Sequence, residues 1–428
     1  MENLYYISIL LLIVTSLKSL VSIFRLVMKG KISGYLFVIL VFIVFYVVPT
    51  LIDAFFDVQF ADVYPEIQKA LDNDNINLFY NIYISLILFF LTKYAKKESI
   101  GNNGLTFLRT TGDNLYKIYN KYKILSWALF LFPICVIVIT GDFNYYSTYL
   151  DRYKVINVPE SHIIINKLAL IGVIIGAFIL TSLFYQKSKK NKFSIHLQLL
   201  VFLLLIFYFW IHGKRSIVIT FLSTFLALMM MTRAIPIKRL MNIALVLIFG
   251  FIGFMGLYGK GTEGSLDVVY KKLRIDFGRD YGVKFVMYND LVLERHVVPS
   301  KFSSFIFTTT FFIPRDIWQD KPHPYAVYFT NSAFGNFGDN HFYGWGLTTS
   351  IISESISNIG FLGLFIGPYI IFLILKKERI STNPPFKLLS ILVAILLLLL
   401  QIIAFMPIFL LYLYFLFKEN KRRKIKYL

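Results

Sequence analysis

Apolar runs long enough to cross a bilayer, roughly 20 residues each, recur near 4–24, 33–53, 76–94, 122–140, 163–185, 194–212, 215–232, 238–258 and 346–375. A further apolar stretch, 386–418, exceeds one crossing and carries Pro407, so it reads as two shorter helices meeting at a tight turn. This pattern predicts an all-α polytopic membrane protein with about eleven transmembrane helices. Between the eighth and ninth lies a polar segment, 259–345, too long for a plain connection. Within it Leu266, Val269, Tyr270, Leu273 and Phe277 recur at helical spacing, while Lys271, Lys272, Arg274 and Asp276 take other faces. That arrangement predicts a helix lying on a membrane surface. Further on, Pro314, Pro322, Pro324, Gly335, Gly338, Gly344 and Gly346 predict ordered loop rather than more helix.

Composition narrows the class. Apolar residues make up 57% of the 428 and charged residues 16%, a balance that excludes an ordinary soluble protein. The net charge of +20 would by itself suit a nucleic-acid partner, but the basic residues sit in short clusters between apolar runs, which is how membrane topology is encoded. No nucleic acid is therefore expected. The clusters are Arg25/Lys29/Lys31, Lys93 to Lys123, Lys187 to Lys192, Arg233/Lys238/Arg239, Lys376 to Lys387 and the tail Lys418 to Lys426. With eleven crossings all six fall on the cytoplasmic side, which places the N-terminus outside and the C-terminus inside. The other side receives the acidic loop from Asp53 to Asp74, the loop around 141–162 and the segment 259–345. No repeat or linker divides the chain, so the expectation is a single membrane domain, 1–428, carrying an external subdomain at 259–345. The first run lacks a basic start and a small-residue cleavage site and reads as a retained helix. Cys135 is the only cysteine and lies in an apolar run, which excludes an intramolecular disulfide.

Four groups of residues carry candidate chemistry. The turn Gly213-Lys214-Arg215-Ser216 puts two adjacent cations on the external side of a short loop, against the rule that orients the rest. There a guanidinium can grip phosphate oxygens in bidentate fashion and an ammonium adds a point charge; pairing with a distant acid, or snorkelling, is the plainer alternative. The second group is Arg274, Asp276, Arg279 and Asp280. Arg274 and Arg279 do not share a helical face, so they reach one ligand only if the chain kinks, for which Gly278 is placed; local Arg and Asp pairs on a solvated helix are the alternative.

The third group is the run Phe312 to Pro324, in which prolines fix the backbone around Arg315 and Lys321. Trp318 there can anchor at the interface or stack on a sugar ring, and an ordinary interfacial loop accounts for the same residues. The fourth is Glu354, about two turns into an apolar helix, where a charge costs about 2.5–3.5 kcal/mol and must face a polar cavity or a partner. Ser350, Ser353 and Ser357 share its face, and Gly360, Gly363 and Gly367 permit close helix contact. Glu354 reads as a general base, as the orienter of a cation such as Arg215, or as half of a structural ion pair. His323 and His341 are further candidate bases, or surface histidines. No two of the six histidines have metal-ligand spacing, and Asp72-Asn73-Asp74 suits helix capping better than metal. Neither a metal nor another cofactor is expected. The sequence has no P-loop, dinucleotide fingerprint or Gly-x-Ser-x-Gly elbow.

In this order these motifs resemble the Wzy-type O-antigen or oligosaccharide repeat-unit polymerases of bacteria. The matching features are Gly213-Lys214-Arg215-Ser216, the Arg274/Arg279 helix, the Phe-Ile-Pro-Arg-x-x-Trp-x-x-Lys-Pro run from Phe312 to Pro322, and Glu354 with Asn358, Gly360 and Gly363. The likeness covers about residues 200–370 in pattern and the rest in topology. The last helix pair departs from it, because its external turn lacks the polar or basic residues many members carry. The resemblance implies a fold like the multi-spanning lipid-linked sugar transferases (GT-C-like) in the bacterial cytoplasmic (inner) membrane. It implies transfer of a growing glycan from undecaprenyl pyrophosphate to a sugar hydroxyl of the next lipid-linked repeat unit, without metal or nucleotide. The partners it implies are undecaprenyl-pyrophosphate-linked oligosaccharide, with a chain-length regulator and a flippase alongside. On this reading Lys214, Arg215, Arg274, Arg279, Arg315 and Lys321 hold the pyrophosphate and Trp318 stacks on sugar. Glu354, ahead of His323 and Asp280, takes the acceptor proton. An O-antigen ligase-like transferase is the nearest alternative. A transporter or flippase of an anionic glycolipid is a further one, which expects charges deep in several helices and paired discontinuous helices.

Overall fold

A computed structural model describes residues 2–29, 31, 33–55, 64–98, 104–140, 160–190, 195–212, 278–338, 346–381 and 383–426, with isolated positions between 221 and 229 and at 271 and 274. Every regular element among them is helical. Among the described residues, seven stretches are long and apolar enough to cross a membrane: 3–28, 34–55, 74–97, 123–140, 168–186, 351–380 and 402–420. The chain is thus a helical protein of the multi-pass membrane type. It divides into two compact units, one formed by 1–101 with 255–428 and the other by 102–254.

The first unit opens with α1 (Glu2–Met28), α2 (Gly34–Phe42) and α3 (Val48–Phe55), the last two joined by a π-helical turn at Ile43–Val47. A short α4 (Pro65–Leu71) leads into α5 (Asp74–Glu98). Helices α1 and α5 lie side by side and point the same way, tied by Asn81 to Ser8 at 3.0 Å, Thr15 to Ser85 at 3.3 Å and Ser19 to Thr92 at 2.8 Å. Small hydroxyl and amide side chains of this kind hold helices together where lipid supplies no hydrophobic drive. The α2–α3 span runs against α5, with Tyr35 stacked near Tyr94 and Tyr80 donating to the Tyr46 carbonyl.

Pro49 explains the π-helical turn. Proline has no N–H for the carbonyl four residues back and its ring crowds that carbonyl, so the helix widens there and Phe45 O can accept from outside the helix. Arg279 supplies the partner, donating its backbone N–H at 2.8 Å.

The polar stretch contains α10 (Asp280–Val286), a π-helical turn at Met287–Val292, α11 (Ser303–Thr309) and α12 (Tyr325–Ala333). The last of these corrects the expectation of ordered loop without helix from Pro314 to Gly346. Pro324, extended at φ −63° and ψ 146°, starts α12, and Gly335 at φ +92° follows its end. Proline and glycine here mark the two ends of a helix instead of excluding one.

Residues 351–380 correct the expectation of one crossing at 346–375. The segment folds at Gly360 into a hairpin of α13 (Ile351–Ile359) and α14 (Gly363–Ile380). A Cβ on Gly363 would lie 2.1 Å from the Ser355 carbonyl oxygen, and one on Gly367 would lie 3.0 Å from the Ile352 Cα. In a continuous helix residues 8 and 15 apart lie about 12 and 22 Å apart. Gly360, at φ +66° and ψ −137°, adopts a backbone conformation suited to glycine.

The stretch 386–418 is split as expected, but at Leu400-Gln401 instead of Pro407, giving α15 (Pro384–Leu399), a 3-10 turn at Ile402–Phe405 and α16 (Met406–Lys426). Residues 391–400 are buried throughout, as suits a helix apolar on every side. Phe386 stacks on Tyr412 and Ser381 donates to Glu419, so α15 and α16 are antiparallel. Tyr83 donates to the Leu364 carbonyl and Tyr94 packs on Phe372, which sets α14 parallel to α5. Arg25, Lys93, Lys97, Lys377, Lys387 and Lys418 consequently gather at one end of this unit. Tyr5, Asp53, Asp74, Leu399 and Gly360 gather at the other.

The second unit contains α6 (Gly104–Lys121), α7 (Lys123–Thr140), α8 (Glu160–Lys190) and α9 (Ile195–His212). Tyr185 donates to Asp113 at 2.8 Å and Tyr208 donates to the Phe130 carbonyl. The runs expected at 215–232 and 238–258 lie outside the described residues, apart from positions between 221 and 229.

Candidate active site

The densest charge cluster among the described residues stands at the end of the first unit away from its basic clusters. Arg274 is buried and uses two edges of its guanidinium. Nε lies 3.0 Å from both Asp53 carboxylate oxygens and Nη2 lies 2.6 Å from Oδ2. Nη1 and Nη2 reach Asp280 Oδ1 and Oδ2 at 2.6 and 2.5 Å. Lys284, one turn along α10, brings Nζ to 3.6 Å from Asp280 Oδ2, and Thr50 donates to that oxygen at 3.0 Å. Two cations thus face two carboxylates.

The chain reaches this arrangement through Gly278, where the backbone leaves the helix between Arg274 and α10. A Cβ there would lie 1.9 Å from Arg274 Nη1. The expected kink is present. It folds Arg274 back onto Asp280, while Arg279 goes elsewhere. The Arg279 side chain donates to the Leu399 carbonyl at 3.0 Å and the Gly278 carbonyl at 2.8 Å. It therefore caps the end of α15, where unpaired carbonyls favour a cation.

Burial alone would push the Asp280 carboxyl up, but Arg274 and Lys284 hold it below the usual carboxylate range. An acid kept ionised by two cations is a weak proton acceptor and a strong orienting charge. Burial opposes the charge of Arg274, yet Asp280 and Asp53 raise it above the ordinary guanidinium value. Burial lowers Lys284 and Arg279.

Beside the network opens a cavity of about 150 Å³, lined by Tyr5, Thr50, Asp53, Gln68, Leu71, Asp72, Asp74, Asn77 and Lys284. It has room for on the order of ten waters at about 10–15 Å³ each. The wall is mostly polar, with Asp53 one-fifth exposed. Arg274, Arg279 and Arg315 are not among its lining residues; Lys284 is its cation.

Glu354 belongs to a second buried cluster. Its Oε1 accepts from Ser304 at 2.8 Å, and its Oε2 has no hydrogen-bond partner among the described residues. Asn358 donates to Ser304 Oγ at 2.8 Å. Ser357, expected on the same face, donates instead to Asp290 Oδ2 at 2.8 Å and lies 3.0 Å from the Tyr325 hydroxyl. Burial pushes the Asp290 carboxyl up to about 7, against the N–H of Val297 and the hydroxyl of Ser357.

Arg315, Lys321 and His323 come together in the loop before α12. Arg315 donates to the Lys321 and Pro322 carbonyls at 2.7 and 3.0 Å and lies 3.0 Å from His323 Nδ1. Lys321 Nζ donates to the Phe311 and Ile313 carbonyls at 3.2 and 2.8 Å. Trp318 is half-buried in the same loop. Lys214, Arg215, His341 and most of the expected surface helix at 266–277 lie outside the described residues.

Sequence reading missed Lys284, Asp290 and Tyr325, and it treated Asp53 only as part of an acidic loop. The Asp280–Lys284 spacing, i to i+4, was the one local signal for Lys284. Nothing local marks Asp53 as the partner of Arg274, 221 positions away. Among groups of His, Cys, Asp and Glu in the described residues, none has the arrangement of a metal site. No protein-family model, curated protein or solved structure matches the chain.

Proposed function

We propose that this chain is a polymerase of lipid-linked oligosaccharide repeat units, passing a growing glycan from undecaprenyl pyrophosphate to a sugar hydroxyl of the next lipid-linked unit. The carrying observation is the cavity whose wall presents Lys284 and Asp53, backed by the buried Arg274–Asp280 pair. Under the positive-inside rule the end bearing Arg25, Lys93 and Lys377 is cytoplasmic. The cavity then opens outside, at the level of a lipid headgroup.

Transfer needs a hydroxyl oxygen to attack the anomeric carbon while the bond to the diphosphate oxygen breaks and its electron pair leaves with the diphosphate. A cation near that oxygen stabilises the developing charge, and a carboxylate accepts the hydroxyl proton. Lys284 is placed for the first role, with Lys214 and Arg215 as further diphosphate ligands from the resembling motif. Asp53 is the cavity's carboxylate nearest the network, and Glu354 is the buried carboxylate with an oxygen to spare. His323 ranks lower because Arg315 stands against its Nδ1. Arg274 and Asp280 act by holding Asp53 and Lys284 in place, and Arg279 by fixing the backbone between them. The surface-glycan pathway and the bacterial inner membrane are part of this proposal.

Deleting the gene tests the reading. Single repeat units replacing long chains on the cell surface support it, long chains left on the lipid carrier point to a ligase, and unchanged chain lengths refute both. One observation favours the transporter alternative: α13 is a half-length helix with the buried Glu354, a device used at ion-coupled sites. Flipping of labelled lipid by purified protein in liposomes, without glycan elongation, would decide for it.

A further inference from the structure

The loop between α11 and α12 buries the charge of Lys321 and leaves two large apolar side chains exposed. Lys321 is buried, with Nζ on two carbonyls and 4.9 Å from the centre of the Phe307 ring, while Arg315 clasps the far side of the loop through two more carbonyls. These staples fix the backbone from Phe311 to Pro322. Outside, Phe312 at 69% exposure and Ile317 at 78% stand beside the exposed polar side chains of Arg315, Asp316 and Asp320, and the apolar surface continues at Phe302 and Ile306.

Such a surface costs free energy in water, at about 25 cal/mol per Å² of apolar area, and a rigid loop has no means of hiding it. Its surroundings identify the occupant. Helix α11 is bonded to α13 through Ser304, Glu354 and Asn358, so it sits beside the hairpin turn. That turn and the start of α14 expose Phe361, Leu362 and Phe365 at 63–72%. They open α14, which is apolar from Gly363 to Leu375, so the exposed apolar face of α11 and its loop continues a lipid-facing flank.

We infer that residues 302–318 form a rigid wedge seated in the bilayer interface, at the end of the spans away from the basic clusters, with Phe312 and Ile317 reaching the acyl chains. The occupant is the lipid itself, as for other amphipathic segments lying in the headgroup boundary, with Trp318 at the polar edge. The inference is independent of the polymerase reading, because it concerns depth in the membrane and not chemistry.

The test replaces Cys135 by Ser, installs Phe312→Cys or Ile317→Cys, and attaches an environment-sensitive fluorophore to the protein reconstituted in phospholipid vesicles. Both positions are exposed, so folding is retained, and size-exclusion elution checks it. The expected result is a blue-shifted emission, most of which is lost to a quencher carried on the lipid chain and little to aqueous iodide. Quenching mainly by iodide would overturn the inference. Protection from both quenchers would also overturn it, by showing that protein, such as a second copy of the chain, covers the wedge.

Discussion

Arg279 donates its backbone N–H at 2.8 Å to the Phe45 carbonyl, four residues before Pro49, which has no N–H to compete for it. One missing N–H in a membrane span thus anchors the segment that carries Asp280 and Lys284. Pro49→Ala restores the competing donor and removes a helix-breaking residue. The expected outcome is a thermal midpoint in detergent no lower than wild type, together with slower glycan elongation. A fall in both would show that Pro49 serves stability alone.

Gly278→Ala should disrupt the charge network. The added Cβ meets Arg274 Nη1 at 1.9 Å and the Arg274 carbonyl oxygen at 2.6 Å, and the second of these is backbone. Overpacking of this kind costs about 1–3 kcal/mol, and displacing Arg274 leaves buried Asp280 short of a partner. A lowered unfolding midpoint with elongation lost is expected, and wild-type values for both would contradict the geometry at Arg274.

The hairpin at Gly360 is open to chemical test. With Cys135 replaced, Ser355→Cys and Gly367→Cys should form a disulfide under mild oxidation, because the Cβ at 367 lies 2.5 Å from Ser355 Oγ. Disulfides require Cβ atoms about 3.5–4.5 Å apart, whereas an unbroken helix would hold these positions about 18 Å apart. Absence of the cross-link, seen by mass spectrometry, would restore a single straight crossing.

These two glycines show where sequence reading succeeded and where it stopped. The helices at 2–28, 34–55, 74–98, 123–140, 160–190 and 195–212 were legible, because an apolar run of bilayer length has few other uses. A break at Gly278 stands in the sequence only as the condition for Arg274 and Arg279 to reach one ligand; Gly278 and Arg279 are non-helical, but the two side chains go to different partners. The reversal at Gly360 was not, since the residues on both sides are apolar and hydropathy carries no sign of direction. Of the small-residue stripe Gly360, Gly363 and Gly367, the last two do permit close packing, on the chain's own preceding helix, while Gly360 makes the turn with nothing packed against it. Helix α6 was passed over as a basic cytoplasmic stretch. The roles of Asp53 and Asp290 depend on contacts between distant segments, which no local spacing encodes.

Asp290 gives a pH prediction. An unfolded aspartate loses its proton near pH 4, whereas burial raises the folded group to about 7. Between those values the native state holds a proton that the unfolded state has released. This group's contribution to stability therefore falls as pH rises from about 4 to about 7, and is constant above that. Asp290→Asn, which stays neutral, should flatten that part of the stability profile measured by thermal unfolding across pH. An unchanged slope would place the titration elsewhere.

In the proposed mechanism Lys284 and Asp53, held by Arg274 and Asp280, face the polar end of a lipid carrier. The most direct measurement is elongation by purified protein in liposomes supplied with lipid-linked repeat units, followed by the length distribution of the glycan. Wild type is expected to yield a ladder, and Lys284→Met, close in size and uncharged, to leave single units while retaining its elution and fold. A ladder of normal length from Lys284→Met and from Asp53→Asn alike would contradict the account.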